Sequence, residues 1–287
     1  MTLTVFTPTY NREKLLPRVY ESLCAQTIRD FQWLIVDDGS TDGTGELVDQ
    51  WIKENRISIR YHRTENGGKM RAHNVGVRLA DTELFVCLDS DDCFTSTAVS
   101  DILMKWSKVA DREDCGGIVA HKGEDHEKTL YGAVMPEVDF STLQGLYRNG
   151  FHGETTLVFR TEILKNHLFP EIPGEKYVPE DVVYDEIDRE YVLAVMPKVL
   201  TICELVESGL TDRVQALREE NPTGWYLYYV NRARYTGFSV LKLKYISHYL
   251  RFRGVAAADI RKKEYLPVSL SVFGVPGALA LMLAGKR

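Results

Sequence analysis

Three carboxylates fall in four consecutive positions, Asp89-Ser90-Asp91-Asp92, directly after the apolar run Phe85-Val86-Cys87-Leu88. Such a cluster repels itself unless a cation or several hydrogen-bond donors share it. In extended chain Asp89 and Asp91 project to the same side. That spacing lets one carboxylate bind a hard divalent ion while the other orients a ribose or a metal-bound water. Mg2+ or Mn2+ takes one or two protein carboxylates and completes its shell with phosphate oxygens and water. An ion held this way neutralises charge growing on a departing diphosphate. The competing reading is an acidic loop capping a helix that begins near Thr97.

Four further segments carry polar groups at similar places. Asp37-Asp38-Gly39-Ser40-Thr41-Asp42 follows the apolar run Leu34–Val36. Capping by Thr41 or Asp42 and a tight turn at Gly39 explain most of it. The doubled aspartate goes further, since a carboxylate there can accept a hydrogen bond from a base ring N–H. In Thr7-Pro8-Thr9-Tyr10-Asn11-Arg12, Tyr10 can stack on a flat base and Arg12 can reach a phosphate; Asn11 as a helix cap is the plainer account. Glu65-Asn66-Gly67-Gly68-Lys69 places glycines before a helix start, where backbone N–H groups and Lys69 meet a phosphate. Its spacing does not match G-x-x-x-x-G-K-[ST], which disfavours ATP hydrolysis. Lastly, Pro179-Glu180-Asp181 sets two acids at an expected helix start, where acids are favoured on dipole grounds alone.

The elements that must position these groups alternate. Leu3–Phe6, 32–36, 57–62, 84–88 and 117–121 read as strands, and 14–25, 43–53, 70–80 and 98–109 as helices. Repeated βα units imply a mostly parallel sheet covered on both faces, with functional groups beyond the carboxyl ends of its strands. The polar clusters fall at four of those ends. From 129 to 206 the regularity fades into a mixed segment with strands expected over 155–160 and 199–206. A catalytic α/β domain is therefore expected over 1–215, and a basic, aromatic helical extension over 216–287. Residues 266–283 carry no charge, but Pro267, Gly274, Pro276 and Gly277 interrupt them. A re-entrant or surface-lying segment is expected there rather than a membrane span.

Charge divides the chain in the same place. Residues 1–217 carry 23 Lys and Arg against 37 Asp and Glu; residues 218–264 carry 10 against 4. An acidic body argues against nucleic acid as the partner. The five cysteines are scattered, odd in number and without a C-x-x-C pair, which disfavours zinc and a disulfide framework. The opening Met1–Phe6 lacks a basic start and a long apolar run, so a signal peptide is not expected.

Read in order, Thr7-Pro8-Thr9-Tyr10-Asn11, Val36-Asp37-Asp38-Gly39-Ser40-Thr41-Asp42, Asn66-Gly67-Gly68, Leu88-Asp89-Ser90-Asp91-Asp92 and Glu180-Asp181 resemble the motifs of the inverting family 2 glycosyltransferases, which have the GT-A fold. Each is weak or moderate alone; five in one order are strong. The resemblance covers about residues 2–210. It implies a metal-dependent hexosyl transfer from a nucleotide diphosphate sugar, with UDP as the nucleotide and Mn2+ or Mg2+ as cofactor. By position, Pro8, Tyr10 and Asp38 would hold the base, with Arg12 and Lys69 near the nucleotide. Asp89 would contact the ribose or metal shell, and Asp91 would ligate the metal. Asp181 would be the general base, Glu180 would place the acceptor, and Arg213, in Glu207–Arg213, would close over the diphosphate. Two positions depart from the family pattern: His73 stands where Arg is common, and Cys93–Ser96 lacks a usual Pro.

Leu241, Tyr245, His248 or Tyr249, and Phe252 share a helical face flanked by Lys242, Lys244, Arg251 and Arg253. This pattern fits an anionic membrane surface, and packing on the catalytic domain is the competing reading. With the resemblance, it implies a cytoplasmic protein peripheral on the inner leaflet, acting on a glycan or polyprenyl-diphosphate-linked acceptor. Bacterial capsule, exopolysaccharide or O-antigen assembly is the implied setting. The rivals are a polyprenyl-monophosphate glycosyltransferase and a non-catalytic sugar-nucleotide-binding protein. A nucleotidyltransferase is disfavoured because Thr7–Arg12 contains no glycine.

Overall fold

The computed structural model describes residues 1–203 and 214–283. In chain order the first elements are β1 (Leu3–Thr9), α1 (Leu16–Cys24), β2 (Phe31–Asp37), α2 (Thr44–Glu54), β3 (Ile59–Arg63), α3 (Lys69–Leu79) and β4 (Leu84–Cys87). They are followed by β5 (Asp92–Phe94), α4 (Ala98–Trp106), β6 (Cys115–Gly123), β7 (Phe140–Ser141), α5 (Leu143–Arg148), β8 (Thr155–Arg160) and α6 (Thr161–Asn166). Next come α7 (Asp181–Ile187), β9 (Val192–Cys203), α8 (Val214–Glu220), α9 (Pro222–Tyr235), α10 (Val240–Arg253), α11 (Ala258–Lys263) and α12 (Val268–Leu283). The chain divides into two compact units, 1–168 with 187–206, and 169–186 with 207–287.

In the first unit the strands form one sheet in the order β3-β2-β1-β4-β8-β6-β9-β5, with β7 on β9. β1, β2, β3 and β4 are mutually parallel, as the βα repeat requires, while β8 enters antiparallel to β4 and β6. This is the α/β GT-A architecture that the sequence led us to expect. β1 is buried along its whole length, so its residues are apolar or threonines, and the hydroxyls of Thr4 and Thr7 pair with Thr82 and Trp33. Trp33 of β2, for example, donates its indole N–H to Thr7 Oγ1 at 2.9 Å, and Tyr20, Trp33 and Trp51 pack as a triangle, with Tyr20 6.1 Å from Trp33 and 4.3 Å from Trp51. Such aromatic packing adds about 0.5–1.5 kcal/mol per pair beyond the area it buries.

Pro8 sits inside β1, where a central proline normally forfeits a ladder bond. Here it does not. Leu88 N–H donates to the Phe6 carbonyl on the β4 side, and Asp38 N–H donates to the Thr9 carbonyl on the β2 side. Pro8 shares the parity of Phe6 and faces the side on which β4 has already ended opposite that residue. The sheet thus opens at the strand ends that carry the polar clusters.

Two elements differ from the sequence reading. The strand expected over 199–206 begins earlier, as β9, because Pro197 and Lys198 are accommodated in an irregularity: Met196 pairs with Ala120 and Val199 with His121. A bulge is where a strand tolerates proline. The acidic cluster also contains a short strand, β5, whose Asp92–Phe94 pairs antiparallel with Thr201–Cys203.

The second unit gathers 169–186, expected within the first domain, onto the C-terminal helices. The reason is the helix end at Pro222. Glu175 accepts the N–H groups of Thr223 and Gly224 at 2.8 and 2.9 Å, satisfying donors that α9 cannot. Asn221 Oδ1 accepts from Lys176 and Tyr177, Asn231 donates to the Val182 carbonyl, and Tyr235 donates to Glu186 at 2.6 Å. The uncharged run expected to be interrupted forms one 16-residue helix, α12, with Pro276 inside it. Close packing sustains it: a side chain at Gly274 would meet Ile246 Cγ2 at 2.4 Å, and Ser247 Oγ donates to the Gly274 carbonyl. At about 1.5 Å per residue α12 is shorter than a hydrocarbon core. Among the described residues no helix is long and apolar enough to cross a membrane.

Candidate functional site

At the carboxyl ends of β1 and β2 the loops stitch one another in place. Asn11, in left-handed conformation at φ 52°, accepts from Thr41 N–H through Oδ1 at 2.8 Å, while its own N–H donates to Ser40 Oγ at 2.9 Å. Arg12 N–H donates to Thr44 Oγ1. Tyr10 is left 47% exposed on this frame, and the Arg12 side chain is exposed beside it in sequence. Asp37 is spent on structure: its oxygens accept from Ser40 N–H at 2.7 Å and from the Tyr61 hydroxyl at 2.6 Å. Asp38 latches the next loop. One oxygen accepts from Gly67 N–H at 2.7 Å, the other from Gly68 N–H at 2.8 Å and Asn66 Nδ2 at 3.1 Å. A carboxylate offers about four acceptor directions, so one remains for a base N–H.

That latched loop, with Gly68 at φ 95°, starts α3 at Lys69. Lys69 Nζ lies 2.9 Å from Asp89 Oδ1. A second lysine, Lys122 of β6, stands 2.9 Å from Asp92 and 3.9 Å from Asp89. Burial pushes the Asp89 carboxyl up, but Lys69 and Lys122 overcome it and hold it below the ordinary carboxylate range. Asp92 goes the other way: burial, with Asp89 nearby, outweighs Lys122 and raises it. Burial lowers Lys122, yet the two aspartates raise it on balance, so it stays charged. Cys203 hydrogen-bonds to Asp92, and burial raises its thiol. Asp91 is half-buried and, among the described residues, has no cation of the protein against it.

The donor chemistry at Asp91 fits a hard divalent ion. Among the described residues no group of three or more His, Cys, Asp or Glu side chains closes a ligand shell. One carboxylate, with the remaining oxygens from phosphate and water, is the arrangement open to Mg2+ or Mn2+.

In the second unit Asp181 begins α7, and the guanidinium of Arg232 in α9 pairs with it and, through Nε at 3.3 Å, with Asp185. Arg232 also lies over the Tyr228 ring at 5.3 Å. Burial raises the Asp181 carboxyl, Arg232 opposes, Glu180 adds to the rise, and the result is above the ordinary range. A raised carboxyl in a cleft is a candidate base. Asp181 and Glu180 line a cavity of about 500 Å³ walled by Trp225, Tyr228, Tyr229 and Tyr245, with Arg218, Lys244 and His248 also on it.

The sequence reading missed Lys122 and this cavity. A lysine closing a β-rich run was the available signal for the first; for the second it was the aromatic and basic composition of 225–253. The face of α10 expected to meet a membrane is partly consumed within the unit: Tyr249 and Phe252 are buried, and Tyr229 stacks on His248 at 4.7 Å. His73 also has a packing role, edge-on to Phe6 and Phe85 at 5.5 and 5.4 Å. Arg213, with the rest of Glu207–Arg213, lies outside the described residues.

The poly(ribitol-phosphate) beta-N-acetylglucosaminyltransferase TarS of Staphylococcus aureus is 26% identical over 178 residues, which is 60% of this chain and 30% of TarS. A GalNAc(5)-diNAcBac-PP-undecaprenol beta-1,3-glucosyltransferase of Campylobacter jejuni is 27% identical over 174 residues, 59% of this chain and 55% of that one. The teichoic acid poly(glycerol phosphate) polymerase of Staphylococcus epidermidis is 36% identical over 108 residues, 37% of this chain and 15% of the polymerase. The chain thus spans between 15% and 55% of these relatives' lengths. Among solved structures, S. aureus TarS 1–349 in complex with UDP-GlcNAc superposes with a TM-score of 0.63 at 19% identity, covering 96% of this chain and 79% of that one. The mannosyltransferase PcManGT of Pyrobaculum calidifontis, in complex with GDP-Man and Mn2+, gives 0.59 at 20% identity over 98% and 80%. At such identities the likeness establishes the fold. The family model described as glycosyl transferase family 2 matches residues 4–168, more than half of the sequence, and the chain belongs to that family.

Proposed function

We propose that this protein transfers a hexosyl group, with inversion, from a nucleotide diphosphate sugar to a hydroxyl of a glycan or polyprenyl-diphosphate-linked acceptor in cell-surface polymer synthesis. UDP is the nucleotide, as in the UDP-GlcNAc complex of TarS. The observation that carries the reading is the state of Asp91. Its neighbours Asp89 and Asp92 have lysine partners, and among the described residues it stands beside them at the end of a GT-A sheet without one. A divalent cation, Mn2+ or Mg2+, held by Asp91 would neutralise charge on the leaving diphosphate.

The chain's own groups do the rest. Tyr10 offers a flat face to the base, with Pro8 shaping the strand end beneath it, and Asp38 offers its remaining acceptor direction to a base N–H. Lys69 and Arg12 lie on the loops that meet the nucleotide, and Lys69 fixes Asp89 for the ribose. Asp181 takes the proton from the acceptor hydroxyl as that oxygen attacks the anomeric carbon from the face opposite the diphosphate, and Glu180 helps to place the acceptor. One displacement turns an α-linked donor into a β-linked product. Arg213 remains the proposed contact to the diphosphate.

UDP release from a panel of nucleotide sugars with Mn2+ tests the reading. Asp91→Ala should lower UDP affinity in Mn2+ by about tenfold or more, roughly 1.4 kcal/mol, and leave the melting curve unchanged. An unaltered UDP titration removes the metal assignment.

The protein works at the cytoplasmic leaflet. Val268, Val272 and Val275 form an exposed stripe at helical spacing on α12, and the exposed lysines 262 and 263 precede it. An apolar stripe beside cations fits anionic lipid. Replacing Val268 and Val272 together by Glu should abolish sedimentation with phosphatidylglycerol vesicles; undiminished sedimentation ends the docking reading.

A further inference from the structure

Among the described residues, several polar groups on the cavity beside Asp181 have no hydrogen-bond partner. Trp225 is 9% exposed, and its indole N–H has no hydrogen-bond partner. The same holds for Nε of Arg218 and Nδ1 of His248. All three residues line this one cavity. Leaving a buried donor unpaired costs about 1–3 kcal/mol, so their concentration in one place points to a polar occupant.

The charges say which kind. Arg232 is engaged by Asp181 and Asp185. Arg218 of α8 and Lys244 of α10 have no carboxylate partner among the described residues; Arg218 lies instead over the Trp225 ring at 4.7 Å. Burial and the nearby cations Arg218, Arg251 and Lys244 push His248 down to about 4, so at neutral pH it adds no charge. Two unmatched cations from two different helices suit a dianion better than a single carboxylate. The aromatic walls, in turn, suit the C–H face of a sugar ring, and Arg forks onto phosphate oxygens.

We propose that this cavity is the acceptor site and binds a glycosyl phosphate, its ring against the aromatic wall and its phosphate at Arg218 and Lys244. Calling the occupant an acceptor rests on the reading of Asp181 as the base; binding itself does not. The phosphate can belong to a lipid-linked or a soluble glycan, which share this chemistry.

The test is titration of the full chain, without donor, with glucose 1-phosphate, glucose, glucuronate and inorganic phosphate. Calorimetry gives affinity, and the Trp225 indole N–H resonance, assigned with Trp225→Phe, gives location. Glucose 1-phosphate should bind tightest and move that resonance. Arg218→Gln should weaken it about tenfold, and Arg218→Lys should restore part of the loss, with unchanged circular dichroism in both. Equal binding of glucose or glucuronate, an unmoved indole signal, no effect of Arg218→Gln, or competitive displacement by UDP overturns the proposal. A second pair of arms, farnesyl diphosphoglucose and a soluble glucosyl phosphodiester, separates the two sources by affinity. Turnover of nucleotide sugars by the same preparation is scored separately. Failure of the titration with turnover intact refutes the cavity assignment alone, and the reverse result refutes the transferase reading alone.

Discussion

At the end of β4 two lysines stand against three aspartates, and among the described residues the charge left over is the negative one of Asp91. In the second unit Arg232 is shared by two aspartates, and of the cavity's cations Arg218 and Lys244 have no carboxylate partner among the described residues. The two regions differ in which groups they leave without a partner. One has matched its buried charges internally until a single carboxylate remains, which suits a cation and the phosphates it carries. The other has left cations and buried donors unmatched, which suits an anion with hydroxyls. Low effective dielectric makes both residues of charge count for more than they would in water.

The strongest way to break this contrast is at Asp181, the proposed base, which lines the cavity with Glu180. Asp181→Asn should reduce sugar transfer by about 10²–10⁴, measured as product by mass spectrometry, while UDP binding in Mn2+ stays as in the wild type. The wild-type profile of kcat/KM should fall on the acid side at a pH above the ordinary carboxylate range. The sign follows from the raised Asp181 carboxyl: it must lose its proton to act as a base, and burial delays that loss. An acid limb at or below the ordinary range contradicts the assignment. So does an Asn variant with full activity.

The next effect bears on the other region, through stability. Lys122→Met leaves Asp89 and Asp92 with one lysine instead of two in a largely buried place. Breaking a buried pair on one side costs about 3–5 kcal/mol, and denaturant unfolding at neutral pH should show a loss of that order. Asp89 has a depressed carboxyl, so its contribution is present above the ordinary carboxylate range and disappears as pH falls through the folded value. Asp92, raised, costs stability once ionised. Both signs agree: the deficit of the variant should shrink as the medium is acidified. A deficit that stays constant with pH makes Lys122 a packing residue and undoes the charge accounting.

Lys122 also marks where the sequence stopped being legible. The βα alternation and the clusters after β1, β2, β3 and β4 could be read because each depends on residues close in the chain. Lys122 meets Asp92 across 30 positions only because β6 lies between β8 and β9, and local periodicity carries no strand order. The helix start at Asp181 was legible from Pro179 and the acids. Its partner Arg232 was not, nor was the move of 169–186 onto the C-terminal helices, because Glu175 reaches Thr223 and Gly224 over nearly fifty residues. The strand β5 was hidden by its three-residue length and by a composition that reads equally well as an acidic loop. The aromatic face of α10 was visible as a face, but composition cannot say whether a membrane or α9 covers it.

The mildest intervention asks whether the first region depends on its frame. Asp38 accepts from the N–H groups of Gly67 and Gly68 and from Asn66, and that loop leads directly into Lys69, the partner of Asp89. In Asp38→Asn one of the two oxygens becomes an amide NH2. Whichever way the amide turns, a donor then faces a backbone donor, at a cost of about 1–3 kcal/mol. Stability and UDP affinity should therefore fall together, and saturating UDP should recover part of the melting temperature by binding the ordered loop. If Asp38 acts only by accepting from the base, UDP affinity falls and the ligand-free melting curve does not move. A simultaneous loss identifies the latch as the step through which a change at β2 reaches Lys69, and through it the lysine pairing of Asp89 beside Asp91.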